Sequence, residues 1–207
     1  MARGVRNLAL LAHVTSSVGW FGAVAGFFAL AIIGLTGVDT QTVRGAYIAL
    51  ELIGWLVIVP FCLASLATGL VQSLITPWGL LRHYWVVAKL VIAVLATGLL
   101  TLHMRPVSYV AGIAAMTTLS PLDLRPMRIQ LIADAAFAMV ALTVATALSI
   151  YKPQGLTPYG RRLTASRTVV ADTEPWAYAA GIALLVMTLL FILVHLAGVG
   201  LGRHGQL

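Results

Sequence analysis

Five apolar runs dominate this chain, at about residues 7–35, 45–76, 83–104, 129–151 and 177–201. Each supplies the roughly 20 residues a helix needs to cross a ~30 Å hydrocarbon core. In lipid the backbone has no water to bond with, so runs of this length cross as helices. The pattern predicts an all-α fold: a single transmembrane domain over residues 1–207, built as a bundle of five helices. Composition points the same way. The chain is 60% hydrophobic and 9% charged, with a mean hydropathy of +0.99, and a soluble domain of 207 residues cannot bury that much apolar surface in one core. Pro60 lies inside the second run and predicts a kink there. The first run follows Arg3 and Arg6, as in a secretory signal. It is longer than the ~7–15 residues of a signal core, so an uncleaved helix is expected.

Lysine and arginine placement orients the bundle. With the N-terminus inside, Arg3, Arg6, Arg82, Lys152, Arg161, Arg162 and Arg167 face the cytoplasm, against Arg44, Arg105, Arg125, Arg128 and Arg203 outside. The positive-inside rule then predicts a multi-pass protein of a bacterial-type inner membrane, N-terminus cytoplasmic and C-terminus outside. The connection 152–176 is polar and reads as a cytoplasmic loop. Residues 107–122 (VSYVAGIAAMTTLSPL) are small and apolar, too short for a span with its own return. They read as an interfacial or re-entrant segment on the outer face. The net charge of +7 fits topology signals and contact with anionic lipid. It comes with no basic run interleaved with aromatics, so no nucleic-acid partner is expected. Cys62 is the only cysteine, which excludes an intrachain disulfide and a thiolate cluster. The expected partners are the bilayer and a second copy of the chain.

Each run carries one ionisable residue deep within it: His13, Glu51, Lys89, Asp134 and His195. A charge at membrane depth costs roughly 2.5–3.5 kcal/mol on insertion scales, so such residues mark candidate sites. A rise of about 1.5 Å per residue sorts them by depth. His13 and Lys89 form an inner pair. Glu51, His103, Asp134 and His195 form an outer cluster. Lys89 and His103 lie on one face of the third helix, ~21 Å apart. His13, Ser17 and Trp20 share a face of the first helix. Glu51, Trp55, Cys62, Ser65 and Gly69 form a stripe on the second, and Asp134, Ala138, Ala141 and Ala145 a small-residue stripe on the fourth.

Two kinds of chemistry suit these groups, each beside a plainer account. His13 can ligate a haem or metal, with Lys89 as its charge partner or catalytic group, and Trp20 can flank a planar cofactor. Alternatively His13 and Lys89 snorkel to the headgroups. His103, His195, Glu51 and Asp134 can hold a metal or relay protons, or they tie helices together through ion pairs with Arg105 or Arg128. Met104, Met116 and Met127 beside His103 offer soft ligands for copper(I), or simply fill space. His83 and His204 fall at or beyond helix ends and are read as solvated.

The first run contains LLAHVTSSVGWFGA, with His-x6-Trp-x-Gly at His13, Trp20 and Gly22, and the third contains YWVVAKLVIAVLA, with an intramembrane Lys-Leu at Lys89. This pairing resembles a loose group of small bacterial integral membrane proteins. The group includes copper-resistance D-like proteins, membrane protoporphyrinogen oxidases that bind haem b, and an uncharacterised predicted integral membrane family. The resemblance implies a haem b or metal site in which His13 and Lys89 serve binding and activity. The expected function is therefore a haem- or metal-binding membrane protein of the redox or electron-transfer type. A copper or small-solute transporter and a non-catalytic membrane scaffold are the alternatives.

Overall fold

The computed structural model describes residues 3–119 and 124–164. The fifth predicted helix, with His195, lies outside the described residues. The described part is all-helical: α1 (Arg3–Thr36), α2 (Thr40–Ile53), a π-helical turn (Gly54–Ile58), α3 (Val59–Ile75), α4 (Tyr84–Met116), α5 (Arg125–Tyr151) and the short α6 (Pro158–Thr164). Four spans are long and apolar enough to cross a membrane: Gly4–Thr36, Thr40–Ile75, Tyr84–Met116 and Arg125–Tyr151, with mean hydropathies of 2.0–2.2. Large apolar side chains such as Leu8, Leu56, Leu74 and Ile150 point outward. A soluble protein would hide such a surface, and a bilayer accepts it. The chain is a membrane protein with a helical bundle.

The four spans form a ring. α1 packs on α2, α3 and α5, and α4 packs on the same three helices from the opposite side. One face of the ring gathers the start of α1, the end of α3, the start of α4 and the end of α5. There Tyr84 N–H donates to the Gly155 carbonyl. The other face gathers the end of α1, the start of α2, the end of α4 and the start of α5. There Arg44 donates to the Ala115 carbonyl.

Three departures from the sequence reading have clear causes. First, α2 starts at Thr40 because Asp39 caps it. Its carboxylate accepts from the Thr42 N–H at 2.8 Å and from the Thr42 hydroxyl at 2.7 Å, satisfying donors that an α-helix start leaves free. Second, residues 107–116, expected as an interfacial or re-entrant segment, continue α4 straight through Pro106. Val107, Val110, Ala111 and Ala114 are buried at i, i+3, i+4, i+7 spacing, and Val43, Ala46, Tyr47 and Leu50 of α2 repeat the same spacing. The two matching stripes, on helices that pack together, outweigh the carbonyl that Pro106 leaves without its donor. Third, the second span changes register at the π turn. Val59 N–H reaches the Gly54 carbonyl, a five-residue step, one residue before Pro60. The extra residue rotates the inward face. It runs through Leu50 and Gly54, then Ile58, Cys62 and Ser65. Glu51 and Trp55, read as part of the inward stripe, fall one residue off it, and Trp55 is 48% exposed.

Candidate functional site

The middle of the bundle holds a cavity of about 90 Å³ between α1, α4 and α5, with Ile58 of the π turn on its fourth side. Trp20, Val24 and Phe27 of α1 line it, spaced so that they share one helix face. Small residues of α5, Ala135, Ala138 and Ala141, leave the space. Its wall includes the half-buried Leu99, Leu100, Phe137 and Leu142 on the α4–α5 seam.

Two polar side chains line this apolar space, His103 of α4 and Asp134 of α5. His103 Nδ1 lies 2.7 Å from Asp134 Oδ2, with the side chains 11% and 10% exposed. A carboxylate only accepts, so Nδ1 carries the proton that is shared. The aspartate thereby fixes the orientation and tautomer of the ring. Phe27 stands 6.0 Å from the imidazole, centroid to centroid. This is an acid–base pair at the edge of an apolar chamber.

Of the expected outer cluster, Glu51, His103 and Asp134 lie within the described residues. His103 and Asp134 come together, and among the described residues no third His, Cys, Asp or Glu joins them. Glu51 is half-buried on α2, turned aside by the π register shift. Met104 is buried against Gly54, where an added Cβ would lie 2.6 Å from its methyl carbon. Met116 is 88% exposed, so the methionines do not gather around His103.

The expected inner residues divide among separate partners. His13 Nδ1 lies 3.2 Å from both the Ser65 carbonyl and Thr68 Oγ1 of α3. The carbonyl only accepts, so Nδ1 donates and Nε2 keeps the lone pair. Gly69 makes room for the ring: a Cβ there would stand 3.0 Å from His13 Cε1. Ser17 and Ser65 add a 2.7 Å hydroxyl pair to the same seam. Lys89 turns to α5 instead, donating to Ser149 Oγ at 2.9 Å, with its ammonium 4.9 Å from the Trp85 ring centre. Trp20 faces the central cavity. The shared face of Lys89 and His103 is real, since both meet α5, at Ser149 and Asp134.

No family model, curated protein or solved structure matches this chain. The site therefore rests on its own geometry.

Sequence reasoning missed one buried group. Arg128, counted as an outer-loop charge, is 2% exposed. Its Nε donates to the Tyr47 hydroxyl at 2.7 Å, its Nη2 donates to the Gly34 carbonyl, and the guanidinium stacks near the Tyr47 ring at 5.3 Å. It locks the ends of α1, α2 and α5 together beyond the cavity. The available signal was its place on the buried stripe with Leu131 and Ala135, at i, i+3, i+7.

Proposed function

We propose that this protein binds a small, lipid-soluble, ring-bearing molecule between its helices and orients it by hydrogen bonding to the His103–Asp134 pair. The observation that carries the reading is an apolar central cavity whose polar contacts are a hydrogen-bonded imidazole–carboxylate pair. A hydrophobic chamber with few convergent polar groups is the usual form of a small-molecule site. A pair of this kind at membrane depth is expensive unless it serves a purpose or is well satisfied. A ligand class that suits it is a lipid quinone or its quinol, which has a flat ring, an apolar tail and edge oxygens that accept a hydrogen bond in the quinone and donate one in the quinol.

Size sharpens the proposal. The cavity, at about 90 Å³, is smaller than the ~150 Å³ cavity that takes up benzene. A single ring enters only as half-buried side chains on the α4–α5 seam, such as Leu99, Phe137 and Leu142, move apart. A porphyrin macrocycle, several rings wide, does not fit there, so no haem step is routed through this cavity.

A second reading keeps haem b at His13, as the family resemblance implies. It is favoured by the Nδ1–H donation to the Ser65 carbonyl, which leaves Nε2 as the ligating nitrogen in the way metal-binding histidines are commonly held. Bound there, haem would supply one-electron chemistry. The copper reading is weaker, because only His103 and Asp134 of its four residues meet among the described ones.

Both readings are tested on one preparation. Purified protein in nanodiscs, carrying Trp20 as its only tryptophan, is titrated with a short-tailed 1,4-benzoquinone. The proposal expects saturable quenching that weakens several-fold in His103→Ala. Quenching that is linear and unchanged in that variant refutes it. A Soret band lost in His13→Ala establishes the haem reading, and a colourless protein after expression with haem supply removes it.

A further inference from the structure

A second cluster sits at the face where α1 and α4 begin, away from the central cavity. Trp78 and Trp85 meet edge to face with centroids 5.5 Å apart. Each carries a lysine: Lys152 lies 5.6 Å from the Trp78 ring centre and Lys89 lies 4.9 Å from that of Trp85. An ammonium from α4 and one from the C-cap of α5 are thus held on one aromatic cluster, which His83 completes with its ring centroid 5.2 Å from that of Trp78 and 6.3 Å from that of Trp85. Lys152 is exposed and Lys89 half-buried, so solvent screens one charge well and the other only in part, and a counter-charge is favoured at Lys89.

The described residues offer little to offset them. Ser149 accepts one of the three Lys89 N–H groups, and its own hydroxyl hydrogen goes to the Ala145 carbonyl. The indole N–H of Trp85 is buried with no hydrogen-bond acceptor among the described residues. The end of α5 lends Lys152 part of a negative charge through its last carbonyls. Arg6, Arg82, Arg161 and Arg162 occupy the same face. The described carboxylates, Asp39, Glu51 and Asp134, all lie in the opposite half of the bundle. The cluster therefore offers donors and positive charge at the end of the apolar spans α4 and α5. Lys89 lies one to two turns inside α4, roughly 7.5 Å below its start by helix rise, which is within reach of a snorkelling ammonium.

We propose that Lys89 and Lys152, set on Trp85 and Trp78, form a seat for the phosphodiester of an anionic phospholipid. The two ammonium groups bracket the phosphate oxygens; the buried Trp85 fixes Lys89, and Trp78, 39% exposed, holds Lys152 and faces the glycerol and upper acyl region. The site is independent of the central cavity. The seat lies at the end of the apolar spans α4 and α5, where exposed side chains such as Ile150 and Tyr151 offer a lipid tail apolar contact, so a lipid suits it better than free phosphate.

The test uses the full chain in nanodiscs of phosphatidylcholine containing a minor share of phosphatidylglycerol, with retained lipid read by native mass spectrometry after detergent release. The variants are Lys89→Gln with Lys152→Gln, and, as an equal charge change on the same face, Arg161→Gln with Arg162→Gln. The proposal expects wild type to retain phosphatidylglycerol, the lysine variant to lose it several-fold, and the arginine variant to keep it. Millimolar inorganic phosphate should leave retention unchanged. Equal loss in both variants would show diffuse surface attraction and overturn the seat, as would undiminished retention in the lysine variant. Displacement by inorganic phosphate would overturn the lipid assignment. Thermal melting in pure phosphatidylcholine nanodiscs shows whether the lysine variant is folded. If it is not, Lys152→Gln alone, whose side chain is exposed, replaces it with the same expected loss.

Discussion

The pair at the centre of the bundle can be weighed by removing its members singly and together. His103 and Asp134 are about nine-tenths buried and 2.7 Å apart, so water replaces neither partner. Interhelical hydrogen bonds in membranes contribute ~0.6 kcal/mol on average and ~1.7 at most. Breaking a buried ion pair in a soluble core costs ~3–5 kcal/mol. The cavity around the pair is apolar, so removing one partner leaves the other as a mispaired hydrogen-bonding group, which costs about 1–3 kcal/mol. Asp134→Ala and His103→Ala should each destabilise by about 1–3 kcal/mol. The double variant should lose less than the sum, with a coupling of about 1–2 kcal/mol, near tenfold in equilibrium constant. Steric-trapping unfolding in bicelles measures this. Additivity within ~0.5 kcal/mol would show that the two side chains do not depend on each other, and would remove the acid–base pair from the account.

Other outcomes follow from single contacts. Gly69→Ala places a Cβ 3.0 Å from His13 Cε1, so it should displace the imidazole from Ser65 and move the His13 ring nitrogen shifts in NMR, with the His103 shifts unchanged. Tyr47→Phe removes an acceptor from the buried Arg128 guanidinium and should lower stability by about 1–3 kcal/mol, read by the same unfolding assay; a neutral result would show that Arg128 does not rely on it. Asp39→Ala should fray the start of α2, seen as faster amide exchange at 40–44, while Asp39→Ser should restore protection. The Thr42 hydroxyl and N–H hold the Asp39 carboxyl below its ordinary value of 3.8. The cap is therefore complete above that pH and is lost as pH falls through the lower folded value, so exchange at 40–44 should rise only in acid.

Four of the five runs were legible as spans because roughly 20 apolar residues in lipid leave the backbone one economical answer; the fifth lies outside the described residues. The facing of His13, Ser17 and Trp20 and of Asp134, Ala138 and Ala141 was legible too, since α1 and α5 keep the ordinary helical period. Glu51 was misplaced because the π turn at Gly54–Ile58 shifts the face, and a period of 3.6 assumed from end to end cannot show that. Residues 107–116 were misread because Arg105 and Pro106 look like a stop, while the stripe that continues the helix, Val107–Val110–Ala111–Ala114, gains its force from a partner stripe on α2. Arg128 was read by its charge, and its burial depends on the Tyr47 hydroxyl and the Gly34 carbonyl, more than eighty residues away in sequence. The join of His103 to Asp134 needed a shared depth, which helix rise supplied, and a shared interface, which it did not.

The measurement closest to the central claim is photoaffinity mapping. A short-tailed quinone bearing an azide on its ring is equilibrated with the protein in nanodiscs, irradiated, and located by peptide mass spectrometry. A cavity site predicts labels confined to the segments Trp20–Phe27, Leu99–Met104 and Asp134–Leu142, which line the cavity, and strongly reduced by excess unlabelled quinone or by the cavity-filling Ala138→Trp. Labels spread over outward side chains such as Leu8, Leu56 and Leu74, and indifferent to both, would contradict it.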